Sequence, residues 1–109
     1  MLDNTLKDKL KNLTSQTSIM LFMKGDKHVP QCGFSAKVVE MLDELGVEYT
    51  TFDILEDDEV RAGLKEYSDW PTYPQLYHKG ELIGGCDIIS EMYESGELQE
   101  ILGDNQSLV

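Results

Sequence analysis

The chain reads as an α/β domain, a mixed four-stranded sheet with helices on both faces. Three observations predict this. Ile19 to Met23 is a continuous apolar run of strand length without alternation, as a central strand covered on both sides requires. That run and a later strand-like segment flank a stretch of helical periodicity, the arrangement of a crossover between strands of one sheet. Lys79-Gly80 then sits between two short strand-like segments, as in a β-hairpin.

Each element has its own signal. Leu2, Leu6, Leu10 and Leu13 recur at helical spacing with Lys and Asp between them, which predicts an amphipathic first helix ended by residues 14–17. The first strand covers residues 18–23, and the following loop, 24–31, carries the turn formers Gly25 and Pro30. Val38, Leu42 and Leu45 give a second helix over 34–45, closed by Gly46. Residues 47–54 alternate as a second strand, with Val47, Tyr49, Thr51 and Asp53 on one face. Asp57 and Asp58 suit the N-terminus of a short helix running to about Tyr67. Residues 74–77 and 81–83 form the hairpin. Asp87 opens a final helical stretch to about Leu102, interrupted near Ser95-Gly96.

At 109 residues the chain has the size of one domain, spanning 1–109 with its core over about 6–102. A 40% hydrophobic content with 8% aromatics suits a globular protein. Nine basic against twenty-one acidic residues give a formal net charge of −12, which repels phosphate backbones and anionic headgroups and argues against nucleic-acid or membrane partners. No apolar run approaches the roughly 20 residues that span a bilayer, and Met1-Leu2-Asp3-Asn4 lacks the basic-then-apolar start of a signal peptide. The expectation is a soluble, unexported protein. Two distant cysteines, Cys32 and Cys86, make no disulfide framework and point to a reducing compartment, the cytoplasm or an organelle matrix reached with a removed targeting segment. The same features fit a domain within a longer chain.

Chemistry concentrates at Cys32-Gly33-Phe34-Ser35, between the first strand's loop and the second helix. Helix N-terminal N–H groups and the macrodipole stabilise a thiolate, so a cysteine there is both a nucleophile and a metal ligand. The competing reading is a small buried hydrophobe, against which Pro30 and Gly33 mark an exposed turn. Ser35 stands where a dithiol oxidoreductase would keep its second cysteine. A hydroxyl cannot resolve a mixed disulfide, so a redox cycle here needs an outside thiol. Ser35 also suits bonding to backbone groups in the first helical turn.

Four ordered segments carry a family resemblance: Met23-Lys24-Gly25, then Pro30 with Cys32-Gly33-Phe34-Ser35, then Trp70-Pro71-Thr72-Tyr73-Pro74-Gln75-Leu76-Tyr77, then Gly84-Gly85-Cys86-Asp87-Ile88. From about Leu6 to Leu102 the sequence resembles the monothiol glutaredoxins of the Cys-Gly-Phe-Ser type. The resemblance implies a thioredoxin-like fold, a glutathione site, and a [2Fe-2S] cluster shared by two subunits, each giving Cys32 and one glutathione. It also implies work in iron-sulfur cluster assembly and transfer and in iron homeostasis.

By the same resemblance Lys24 reaches the glycyl carboxylate of glutathione and the cysteine; as an isolated residue it reads as a solvated surface lysine. Arg61, on the third helix, offers a fork of donors for that carboxylate, or an i,i+4 partner for Asp57. Lys65, one turn on, is a weaker candidate. Tyr73-Pro74 resembles the family's cis-proline position, which would leave the Tyr73 backbone free to pair with the peptide; the plain alternative is a trans proline opening a strand. Gly84-Gly85 allows close backbone approach, and the N–H groups at Cys86-Asp87 suit the γ-glutamyl carboxylate, with Asp87 taking its ammonium. Asp87 also reads as an N-cap. The Cys86 thiol is expected to be a partly buried bystander. His28 and His78 read as surface residues, and Trp70 as packed against the core rather than stacked on a ligand.

These features carry competing functions. One is a cluster carrier with a homodimer bridged by cluster and two glutathiones, serving iron-sulfur acceptor proteins. The alternative is an enzyme, a glutathione-dependent oxidoreductase acting on mixed disulfides through Cys32. A third is a binding module whose acidic surface docks a BolA-like protein, a partner implied by the resemblance alone.

Overall fold

The computed structural model describes residues 2–103. Helix α1, Asn4–Thr14, starts where the Asp3 carboxylate accepts the Leu6 N–H at 2.7 Å. Strand β1, Ile19–Met23, is followed by the loop that leads into α2, Gly33–Leu45, which ends on Gly46 at φ 72°. Strand β2 is Thr50–Asp53, and a 3₁₀ turn, Ile54–Glu56, joins it to α3, Asp58–Ser68. Strands β3, Gln75–His78, and β4, Glu81–Gly84, form the hairpin, and α4, Cys86–Ser95, and α5, Glu97–Gly103, close the described chain.

The sheet order is β2-β1-β3-β4, with β1 and β2 parallel and the other pairs antiparallel. Strand β1 is buried throughout because its two faces feed two cores. Ile19, Leu21 and Met23 join Val38, Leu42, Ile89 and Leu98 from α2, α4 and α5. Met20 and Phe22 join Leu10, Val60, Leu64 and Tyr77 on the side of α1 and α3. This is the mixed sheet with helices on both faces that the pattern predicts, in a thioredoxin-like arrangement.

Boundaries differ from expectation by one residue at the starts of β1, α2 and β3, and more tellingly at both ends of β2 and at the start of the last helix. The second strand is four residues, not eight, because its partner β1 begins at Ile19 and the pairing starts at Met20–Thr50. Val47 and Tyr49 are buried without strand pairing, the Tyr49 hydroxyl donating to Asp43 at 2.7 Å. At the other end the Asp53 carboxylate accepts the Leu55 N–H at 2.9 Å and caps the 3₁₀ turn, which takes Ile54 out of the strand. The last helix starts at Cys86 with Gly85 as its N-cap, so Asp87 is a first-turn residue and not the cap. Its break falls at Gly96, φ 86°, where the expected interruption divides α4 from α5.

Candidate functional site

The site grows from the loop after β1. The Gly25 N–H donates to the Asp53 carboxylate at 2.9 Å, and the Asp26 carboxylate accepts from the N–H groups of His28 and Val29 at 2.8 and 2.9 Å. The Gln31 N–H closes back on the Lys24 carbonyl at 2.8 Å. Gly25 is at φ 87°, and a Cβ there would meet the Val29 carbonyl oxygen at 2.4 Å, so the loop needs glycine at this point. The result is a closed loop that delivers Lys24 at one end and Cys32 at the other.

Cys32 is the N-cap of α2, half-buried, with its carbonyl accepting the Ala36 N–H at 2.9 Å. Its thiol is held below the ordinary cysteine value, first by the Ser35 N–H, then by the Phe34 N–H, the charge of Lys24 and the Ser35 hydroxyl; partial burial opposes them. Ser35 is fully buried, and its Oγ accepts the Lys24 N–H at 3.3 Å. The serine thus ties loop, helix and thiol together, which joins its expected backbone role to an electrostatic one. Phe34, 63% exposed, lines the same cleft as Cys32, and Val29 in the preceding loop is 59% exposed.

A cleft of about 600 Å³ opens from Cys32. It brings together Lys24, Cys32, Arg61, Tyr73, Cys86 and Asp87, residues drawn from the loop, α2, α3, the turn before β3 and α4. Lys65 lines it as well, so three cationic side chains and the Asp87 carboxylate face one space in a chain of net charge −12. Arg61 does not pair with Asp57. That carboxylate is taken by the Val60 N–H at 3.0 Å and by Lys9 at 3.3 Å, which also holds Glu59 and ties α1 to α3. The Tyr73–Pro74 bond is cis, and the ladder between β3 and β1 begins only at Gln75, leaving Tyr73 outside it. Cys86 is half-buried against the α2 and α4 core while also lining the cleft.

Trp70 corrects the sequence expectation: it is half-buried and forms a wall of the cleft rather than part of either core. A Cβ on Gly85 would lie 3.0 Å from the Trp70 Nε1 and 3.4 Å from the Pro74 carbonyl oxygen, so glycine at the α4 N-cap lets the indole wall close. His28 is exposed, His78 lies on β3, and no three His, Cys, Asp or Glu side chains converge as metal ligands among the described residues.

Gln75 was missed from sequence. It is fully buried, and its amide nitrogen donates to the carbonyls of Trp70 and Thr72 at 3.1 and 3.2 Å. Its oxygen accepts from the hydroxyls of Tyr77 and Ser68 at 2.8 and 3.3 Å. The side chain holds the turn that carries Trp70 and Tyr73. The available signal was a glutamine among the apolar residues Pro74, Leu76 and Tyr77 of the expected strand.

A family model described as Glutaredoxin matches residues 19–83. Human Glutaredoxin-3 is 62% identical over 101 residues, covering 92% of this chain and 30% of that protein. The chain therefore spans less than a third of the length of that curated relative. A probable monothiol glutaredoxin 2 of Rickettsia typhi is 47% identical over 109 residues, covering all of this chain and 98% of the relative. Among solved structures, a buckwheat glutaredoxin–glutathione complex superposes with a TM-score of 0.82 at 25% identity, covering 96% of this chain and 94% of that one. With one thiol at the start of α2 and Ser35 buried where a second would stand, the chain belongs to the glutaredoxin family, among its monothiol members.

Proposed function

We propose that this glutaredoxin binds glutathione in the Cys32 cleft and shares a [2Fe-2S] cluster between two subunits, acting in iron-sulfur cluster assembly and transfer and in iron homeostasis. The observation that carries the reading is a half-exposed thiol, biased toward its thiolate, in the same cleft as Lys24, Arg61 and Asp87. Glutathione carries two carboxylates and one ammonium, and the cationic pair and the lone carboxylate complement them. The buckwheat relative solved with glutathione supports the tripeptide as the ligand.

The residues fit a cluster as far as one chain can. A thiolate is the soft ligand that iron-sulfur chemistry uses, and Cys32 presents one beside the exposed ring of Phe34 in the cleft. A [2Fe-2S] cluster needs four terminal sulfurs, and no three-ligand group exists among the described residues of one chain. Two Cys32 thiolates and two glutathione thiols make four. The expected assembly is thus a homodimer bridged by cluster and glutathiones, in a reducing compartment such as the cytoplasm.

A second reading is favoured by the low-lying thiol itself. The Cys32 thiolate attacks the glutathione sulfur of a mixed disulfide and releases the protein thiol. A second glutathione thiolate then attacks the Cys32–glutathione bond, restoring Cys32 and leaving glutathione disulfide. Ser35 cannot take the resolving role, so the cycle runs on external thiol. Anaerobic reconstitution with iron, sulfide and glutathione, followed by visible absorption and sedimentation, separates the two. A coloured dimer is the expected result; a colourless monomer with deglutathionylase activity would leave only the enzyme.

A further inference from the structure

The Tyr73 side chain does something the sequence gives no hint of. Although Tyr73 is only 8% exposed, its hydroxyl has a partner: it donates to the main-chain carbonyl of Arg61 at 2.7 Å. The ring packs with Val60 and Leu64 of α3 in one core while also lining the cleft. A single side chain therefore braces the turn before β3 against the residue of α3 that bears a cleft guanidinium. Burial pushes the Tyr73 hydroxyl well above its ordinary pKa, so the brace stays protonated and donating throughout the neutral range.

We propose that Tyr73 is a positioning residue for carboxylate recognition: its hydroxyl sets the distance between Arg61 on α3 and the peptide-facing edge of the 70–73 turn, and so the length of peptide that can reach both. The proposal rests on the glutathione reading above. Phenylalanine at this position would keep the packing and remove only the brace, a part-buried hydrogen bond between the turn and the Arg61 carbonyl of α3. Bidentate pairing of a guanidinium with a carboxylate depends on where the fork is placed, so a shift of α3 acts on the carboxylate end of the ligand and leaves the thiol end alone.

The test is calorimetric titration of glutathione, and of the same tripeptide with its C-terminal carboxylate amidated, into wild type, Tyr73→Phe, Arg61→Gln and the double variant. Arg61→Gln is expected to weaken glutathione about tenfold or more and Tyr73→Phe about three- to tenfold, with less than about twofold further loss in the double variant. The amide is expected to bind wild type and Tyr73→Phe equally, and the pH profile of Cys32 alkylation to be unchanged by Tyr73→Phe. If Arg61→Gln is silent, the glutathione reading of Arg61 fails and this inference with it. If Arg61→Gln weakens binding while Tyr73→Phe is silent, or weakens acid and amide alike, the inference alone is overturned. Circular dichroism of Tyr73→Phe separates the last outcome from loss of fold.

Discussion

Replacing Gln75 with leucine is the most demanding test of how the cleft is held open. The side chain is fully buried, and both donors and both acceptor sites of its amide are in use, to Trp70, Thr72, Tyr77 and Ser68. Leucine has similar volume, so the loss is polar rather than a cavity. The partners are not equal. Ser68 keeps the Leu64 carbonyl at 2.6 Å, and Thr72 is exposed enough to reach water. The Tyr77 hydroxyl, on a residue 1% exposed, loses its Gln75 acceptor and keeps only the Ser68 side chain, which costs about 0.5–1.5 kcal/mol. The Trp70 carbonyl adds roughly 0.5–1.5 kcal/mol, and the apolar gain of leucine returns part of the sum. The net expectation is a loss of about 1–2 kcal/mol, read as a lower urea midpoint at constant slope. Adding Tyr77→Phe removes the weakened hydroxyl and should restore about 0.5 kcal/mol, a coupling visible in the double-mutant cycle. A single-variant loss under about 0.5 kcal/mol, or strictly additive variants, would refute the reasoning.

The remaining predictions concern the thiol and its ligands. Because the folded state lowers the Cys32 pKa, the thiolate contributes stability that is present above the unfolded value, near 8.5, and is lost as pH falls through the folded one. Wild type should therefore gain stability over Cys32→Ser as pH rises toward 8.5 and then hold the gain; a gap that is flat with pH would contradict the shift. Cys32→Ser should fold yet take up no cluster colour on reconstitution, whereas Cys86→Ser should retain it, and the opposite pattern would exchange their roles. Lys24→Glu, which sets a carboxylate against a carboxylate, should weaken glutathione binding and labilise the cluster with little change in melting temperature. On gel filtration, stripping free glutathione should dissolve cluster and dimer together, and a coloured dimer that survives would mean that other ligands complete the site.

Much of the site was legible because its chemistry is local. A cysteine next to a helix start, with Gly33 and Pro30 around it, is activated by the backbone that follows it, and that backbone is the next few residues of the chain. The hairpin turn at Lys79-Gly80 and the helix stop at Gly46 depend likewise on the φ that neighbouring residues can adopt. Trp70 and Gln75 were misread or missed for the converse reason. Their surroundings are Gly85, Tyr77, Ser68 and the carbonyls of a turn, and no periodicity announces a contact made after folding.

By itself the sequence determined the order of elements, the mixed sheet, the two-sided central strand and the position of the reactive thiol, since each follows from periodicity or from covalent neighbours. Only the tertiary structure decided where β2 begins, because strand ends depend on the reach of the partner strand. It also decided that Asp57 pairs with Lys9 and not with Arg61, which leaves the guanidinium to the cleft. And it decided that Tyr73 and Gln75 act through their side chains, because a buried polar group takes its partners from whatever elements the fold packs around it.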